Sequence, residues 1–547
     1  MPLLATIGLP FIPDAAELRP FAAELWLIAT IVAVLLVPFF TPRKSNGICG
    51  MVALIGLTGA LLTLLVVGPA AGDAAGRLRP MLVADGVAYF WKVLLLLFTI
   101  GIVLMWFSTT AREMHEGDGP EFFTLLLGAT LGMALMGSAS NLLMLFIAIE
   151  TASLPSYILA GFRKTHRVGA EASLKYVLFG AASSSIMVYG LSFLYGLYGT
   201  LRLYSSEIDG RHVAGLAEAV AQSSGGGALL AVAVFGLIVG IGFKISAVPF
   251  HFWCPDVFEG AGIDVSAFLS VASKGAGLVL LLRLLIAIGA AQGFAPTPGL
   301  LGIAAVIGVL GALTATVGNL GAFAQNNIKR LLAYSSIAHA GYMLCAVSLL
   351  VRTKPGVDPA SQAGPALLVY LAVYMIMNLG AFTVAGLVYR KTGGEDLGTY
   401  AGLGRRSPLL AACMALCLVS LIGLPPVAGF TAKFNVMAVL GSNGGWWWLL
   451  VAAIGANTVL SLYYYARVIR LMYMSDNDEP AFTPPPVGAA LSAACAALLV
   501  VMLIASGPLL RSASRLGRLG GAPANAAASA PAHSADPIPL SPVSAAR

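Results

Sequence analysis

Charge is what this chain has least of. Only 10% of its 547 residues are Asp, Glu, Lys or Arg, and 59% are hydrophobic. Soluble domains carry about 25% charge. A soluble chain of this size has no means of hiding so much apolar surface, and disorder needs the opposite composition, low hydrophobicity with high charge. Other absences narrow the chemistry. Cys49, Cys254, Cys345, Cys413, Cys417 and Cys495 include no Cys-x-x-Cys pair, so no iron–sulfur cluster or structural zinc is expected, and the thiols read as small buried hydrophobes. No Walker loop occurs, so ATP is not the expected drive. No Gly-x-Gly-x-x-Gly falls between a strand and a helix, so no Rossmann site for NADH is expected. A convincing pair of haem ligands is missing too. The net charge of +7 arises from basic residues scattered singly between apolar runs, which is not a nucleic-acid stripe. No basic segment precedes the first apolar stretch, so no secretory signal is expected.

What remains is an integral membrane protein. About 20 mainly apolar residues cross the hydrocarbon core as a helix. Fourteen such spans are predicted, near 22–40, 48–69, 85–107, 121–138, 141–161, 171–199, 228–250, 265–290, 299–320, 328–350, 365–389, 408–440, 446–472 and 487–507. Helices are the expectation because an open sheet leaves backbone groups unsatisfied in lipid, and no alternating ten-residue pattern suggests a barrel. Alternate loops hold fourteen Lys and Arg on one side, Arg43 to Arg470, against seven on the other, Arg19 to Lys354. The positive-inside rule then puts both termini on the non-cytoplasmic side, although Arg511, Arg515, Arg518 and Arg547 of the tail dissent. Ala, Pro and Ser dominate from about residue 510, which predicts a disordered extension.

Two spans carry proline where a helix should be unbroken. Pro249 interrupts the seventh, and Pro425 and Pro426 interrupt the twelfth. Proline removes a donor and clashes with the preceding turn, so both helices are predicted to be discontinuous. Each break falls in the fourth helix of a set of five, helices 4–8 and 9–13, the pattern of repeat-built transporters. Five is odd, so the second unit must sit inverted. The predicted organisation is all-α: a three-helix segment over 1–120, a first repeat over 121–290, an inverted second over 291–475, a final helix over 476–509 and the tail over 510–547.

Charges inside the spans are the candidate functional groups. Glu150 sits mid-span, where a charge costs about 2.5–3.5 kcal/mol on insertion scales. Lys92, Lys175, Lys244, Lys274 and Lys433 also fall within spans. Lys175 has an i,i+4 partner in Glu171, and Lys92 is read as structural, pairing with Asp85 or snorkelling. Lys244 and Lys433 flank the two breaks, and Lys274 lies in the eighth span. Lysine in water holds its proton with a pKa near 10.4; burial lowers that by up to about 3–5 units and a carboxylate raises it again. A row of such groups is what proton translocation requires. His251, after the seventh-span break, and His339, within the tenth span, titrate near neutrality and suit a relay, or serve as packing residues.

Four strings carry a family resemblance. Phe243-Lys-Ile-Ser-Ala-Val-Pro-Phe-His-Phe-Trp253, Ala267-Phe-Leu-Ser-Val-Ala-Ser-Lys274, the stretch from Asn326 to Tyr342, and Leu421-Ile-Gly-Leu-Pro-Pro-Val-Ala-Gly-Phe-Thr-Ala-Lys-Phe434 resemble the antiporter-like membrane subunits of the proton-pumping NADH–quinone oxidoreductase, respiratory complex I. The resemblance spans about 85–475. Lys at 433, the stretch Ala172-Ser-Leu-Lys-Tyr176 and the absence of a long lateral helix resemble the subunit N branch. By that resemblance Glu150 and Lys244 form the pair of a first half-channel, Lys274 and His339 continue a central polar axis, Lys433 serves a second half-channel, and Lys175 is more than a surface ion pair.

The resemblance also implies that this chain binds no cofactor, since NADH, FMN, iron–sulfur clusters and quinone belong to partner subunits. The implied partners are other membrane subunits of complex I and, indirectly, its peripheral arm, in a bacterial inner membrane. One departure stands out: Gly262-Ile-Asp264 replaces the family's Pro-Thr-Pro turn, and Asp264 is expected to cap the eighth helix. The alternatives are a subunit of a multisubunit Na⁺/H⁺ antiporter of the Mrp type, which shares these motifs, and a passive scaffold of a respiratory complex.

Overall fold

The computed structural model describes residues 14–41, 45–69, 81–110, 114–163, 166–208, 211–222, 227–353, 359–475 and 479–517. Twelve helices among the described residues are long and apolar enough to cross a membrane: Ala15–Phe40, Ser45–Val67, Gly86–Ser108, Gly119–Ser138, Leu142–Ala160, Arg167–Tyr198, Gly227–Ile245, Ile263–Ala291, Pro298–Phe323, Ser361–Thr392, Trp447–Met474 and Pro486–Ile504. With Ile328–Val347 and the broken pair Pro408–Ile422 and Gly429–Asn443, they make the fourteen spans that the apolar runs predict. They are numbered in chain order below.

The fourth span packs on the fifth and the eighth, and the ninth packs likewise on the tenth and the thirteenth. The sixth lies on the seventh as the eleventh lies on the twelfth. Packing order therefore repeats after five spans, and the odd number turns the second unit over. The eleventh and eighth spans form the core, with 100% and 94% of their most apolar windows buried against 33% for the sixth and thirteenth. These two central helices are apolar all round except at a few polar positions, as a helix surrounded by helices must be.

Both predicted breaks are present. The seventh span ends at Ile245 and resumes as Trp253–Gly260. Between them Ser246 takes a left-handed backbone (φ 62°), and the Trp253 indole donates to the Phe243 carbonyl at 3.1 Å, satisfying an acceptor at the helix end. The twelfth span stops at Gly423, whose φ of 85° favours glycine. A Cβ there would also stand 2.6 Å from the Lys433 Cδ. Gly429 opens the second half so close to Ser420 that a Cβ would meet its carbonyl at 1.8 Å; the Gly429 N–H instead donates to the Ser420 hydroxyl. A third interruption has no proline to announce it. In the eighth span a π turn, Leu269–Ser273, separates Ile263–Phe268 from Lys274–Ala291.

Two sequence expectations need correcting. Lys92 pairs with Glu24 of the first span at 2.5 Å, both buried, and not with Asp85. Asp85 caps the third span, accepting from the Ala88 N–H, and forms a two-pronged pair with Arg283 of the eighth span at 2.7 and 2.9 Å. Burial in both cases forces pairing, because an unpaired charge in the interior is too costly. Residues 510–516, expected to begin the disordered tail, belong to the helix Ser506–Leu516, which packs on the third and eleventh spans. The tail from 518 onward lies outside the described residues.

A hairpin, Ser206–Ile208 with Arg211–Val213, and the short helix Leu216–Gln222 link the sixth and seventh spans. There the Ser205 hydroxyl and the His212 ring hold Glu218 below the usual carboxylate range.

The Asp85–Arg283 pair joins the third span to the core. Arg283→Met leaves a buried carboxylate without its partner, an expected loss of about 3–5 kcal/mol, read as a fall in thermal midpoint or in accumulation of the detergent-solubilised chain. Adding Asp85→Leu to that variant should recover part of the loss; a double variant no better than either single one would contradict the pairing.

Candidate functional site: a buried polar axis

The breaks determine where the charged side chains end up. Interrupting a helix in a low-dielectric interior leaves carbonyls without helical partners, and these become ligands for a cation. Lys433, in the first turns of the second half of the twelfth span, extends back across its own break. Its ammonium donates to the Ile422 carbonyl at 2.8 Å, at the C-terminal end of the first half-helix, the end that favours positive charge. The same ammonium lies 4.5 Å from the centre of the Tyr342 ring of the tenth span. Lys433 is buried and makes no ion pair among the described residues.

From Tyr342 the polar contacts continue along the tenth span. His339, one turn earlier, meets Tyr342 edge-on, stacks against Tyr374 with ring centres 5.0 Å apart, and is 2.8 Å from the Tyr370 hydroxyl through Nδ1. Tyr374 in turn donates to the Ser270 carbonyl at 3.4 Å. Ser270 belongs to the π turn. Lys274 opens the next helical stretch. Its ammonium donates to the Cys254 sulfur at 3.3 Å and stands 4.9 Å from the Phe258 ring centre. The Cys254 thiol is also 3.9 Å from Ser336, one turn from His339.

In the first repeat, Lys244 occupies the last turn before the seventh-span break, fully buried. Its ammonium donates to Ser153 at 3.0 Å. Ser153 is one turn from Glu150 on the fifth span. Glu150 itself accepts from Ser184 of the sixth span at 2.5 Å and is partly exposed on that face. Glu150 and Lys244 thus approach the same stretch of helix without touching.

Two predicted residues stand apart. His251 is buried in the seventh-span gap, and its Nδ1 finds no partner among the described residues. Lys175 belongs to an ion-pair cluster at one end of the bundle, with Glu171 at 2.8 Å and Asp256 at 2.7 Å; Arg330 extends the cluster to Asp256 and Glu259. Asp264 does not cap the eighth span. Gly262 holds the cap position, and Asp264 lies in the first turn, buried, its Oδ2 without a hydrogen-bond partner among the described residues.

Sequence reasoning missed several groups. Lys329, one of the fourteen basic residues that the sequence assigns to loops, is buried in the first turn of the tenth span, bonded to Glu395 at 2.6 Å and to the Ala261 carbonyl. Arg283 escaped notice although the test that singled out the lysines, a charge well inside an apolar run, applies to it equally. Tyr342, Tyr370 and Tyr374 carry no charge, so nothing in their apolar surroundings separated them from packing aromatics.

All six cysteines are free and buried. A maleimide is expected to label none of them in the folded chain and all of them after denaturation in SDS. Labelling of Cys254 in the folded chain would contradict its position against Lys274.

The family model described as NADH:quinone oxidoreductase/Mrp antiporter, TM, matches residues 139–461. Subunit N of the NADH-quinone oxidoreductase of Anaeromyxobacter sp. (strain Fw109-5) is 41% identical over 391 residues, 69% of this chain and 73% of that protein. Subunit N 2 of Sorangium cellulosum (strain So ce56) is 39% identical over 78% of this chain and 82% of its own. Among solved structures, a chain of respiratory complex I from Thermus thermophilus with bound aureothin superposes with a TM-score of 0.70 at 31% identity, covering 89% of this chain and 98% of that one. A chain of the Mrp complex from Dietzia sp. DQ12-45-1b shares the fold, with a TM-score of 0.76 at 18% identity over 91% of this chain and 97% of that one. The chain belongs to the family of NADH:quinone oxidoreductase and Mrp antiporter membrane subunits.

Proposed function

We propose that this chain is the antiporter-like subunit N of a proton-pumping NADH–quinone oxidoreductase and moves protons across the membrane while partner subunits oxidise NADH and reduce quinone. The observation that carries the reading is the run of buried polar groups from Lys433 through Tyr342 and His339 to Lys274, with each lysine at a helix interruption and neither paired with a carboxylate among the described residues. A structural ion pair would be neutralised by its partner; these lysines are held by carbonyls, a thiol and ring faces instead. Such neutral ligands favour the ammonium only modestly, so its proton can be released when a neighbouring charge changes.

We assign the roles that the family resemblance implies. Glu150 and Lys244 form the input pair of the first repeat, Lys274 and His339 carry the charge change along the axis, and Lys433 loads and releases a proton in the second. Ser153 positions Lys244 between contacts, and Lys175, with Asp256 and Glu171, sets the field at the mouth of the first repeat. Moving one proton against 100 mV requires about 2.3 kcal/mol. A swing of two pKa units in one lysine supplies about 2.7 kcal/mol, the right order for one step. We assign residues 121–290 and 291–475 to the two repeats, both termini to the non-cytoplasmic side of a bacterial inner membrane, and the redox cofactors to partner subunits.

The reading predicts that Lys433→Ala and Glu150→Ala each lower NADH-driven proton pumping in membrane vesicles at least several-fold, with the complex still assembled. Full pumping in both assembled variants would overturn it. Proton exchange that requires sodium and no NADH would move the chain to the antiporter branch of its family.

A further inference from the structure

Lys433 poses a physical problem that the proton-pumping reading leaves open. A fully buried ammonium with one carbonyl ligand is poorly solvated, and the described chain brings it no carboxylate. The remaining stabilisation comes from the face of Tyr342, with the ammonium 4.5 Å from the ring centre. An aromatic face attracts a cation and has no comparable attraction for a neutral amine, and a desolvated site strengthens the effect.

The ring is held in place from behind by a second set of residues. The Asn319 amide of the ninth span donates to the Tyr342 hydroxyl at 2.9 Å and to the Asn457 side-chain oxygen at 3.0 Å. Asn457, on the thirteenth span, donates onward to Thr316 at 3.0 Å, and the Tyr464 hydroxyl donates to the Asn319 oxygen at 2.9 Å. Asn319 and Asn457 are both buried. Every polar atom of this group has a partner, which is the condition under which a buried network fixes one geometry. Tyr342 also touches the edge of His339, so one ring contacts the two proton-bearing groups of the second repeat.

Resting on the proton-pumping reading above, we propose that Tyr342 is a positioning residue for proton transfer at Lys433: its ring face is the neutral counterpart of the ammonium, and the Asn319–Asn457–Tyr464 group aims it. The titratable groups facing the pair are His339 and Cys345 on the tenth span, Tyr370 and Tyr374 on the eleventh, and Tyr464 and Tyr465 on the thirteenth. None of them is a carboxylate, so the ring's attraction for the ammonium is not masked by a full negative charge.

The test is the pH profile of NADH-driven proton pumping in vesicles carrying the assembled complex, for Tyr342→Leu, Tyr342→Phe and the unaltered chain. Leucine removes an attraction that exists only for the protonated lysine. The alkaline limb, where Lys433 fails to reload, should therefore move toward acid by about one pH unit. Phenylalanine keeps the ring and should keep the limb within a few tenths of a unit of the unaltered chain. If the leucine variant fails to assemble, Tyr342→Met is judged by the same criterion. An unmoved limb in the assembled leucine or methionine variant overturns the proposal, as does a phenylalanine variant that shifts as far as leucine. Lys433→Ala, measured alongside, separates the two failures. If it pumps fully, the parent reading falls; if it does not, and the leucine profile is unmoved, only the role of Tyr342 falls.

Discussion

The structure depends on one constraint: an ammonium removed from water must be solvated by the protein, and an intact helix has no carbonyls free to do it. Breaking the helix releases them. Lys433 takes the Ile422 carbonyl across the twelfth-span break, and Gly423 and Gly429 provide the room for that break. In the eighth span a π turn precedes Lys274 and its Ser270 carbonyl accepts from Tyr374, while the Lys274 ammonium is met by the Cys254 sulfur. At the twelfth-span break, helix interruption and buried charge are therefore two sides of one arrangement, each unfavourable without the other.

The same constraint sorts the charges into two classes. Glu24–Lys92 and Asp85–Arg283 are mutually neutralised pairs that tie the first span to the third and the third to the core. Among the described residues, Lys244, Lys274 and Lys433 are bound by a hydroxyl, a thiol, a carbonyl and ring faces. In the first class each buried charge is balanced by its own partner, so removing either member strands the other. In the second class loss of the proton leaves an amine that still has an acceptor or donor nearby. Pairing thus separates the charges that hold the bundle together from the lysines that we propose carry protons.

Much of this could be read from the sequence, and the parts that could not share a cause. Spans were legible because membrane helices need long apolar runs, and the breaks at Pro249 and Pro425–Pro426 because proline excludes the helical hydrogen bond. Lys244, Lys274 and Lys433 stood out as charges in apolar surroundings. The π turn was invisible, since Leu269-Ser-Val-Ala-Ser273 contains nothing that forbids an α-helix. Which carboxylate meets Lys92 was equally hidden: Asp85 is nearer in sequence, but the first span delivers Glu24. Tyr342 and Asn319 acquire meaning only when the ninth, tenth, twelfth and thirteenth spans come together. Local chemistry is written in local sequence; pairings between distant spans are not.

The central claim is that an axis lysine changes its protonation state during turnover. Redox-induced infrared difference spectroscopy on the assembled complex tests it directly, using lysine labelled with ¹⁵N and comparing the unaltered chain with Lys433→Met. The account predicts an ammonium band that shifts with the isotope, appears with NADH-driven turnover and is absent from the methionine variant. A complex that pumps protons while showing no such isotope-sensitive difference between the two would contradict it.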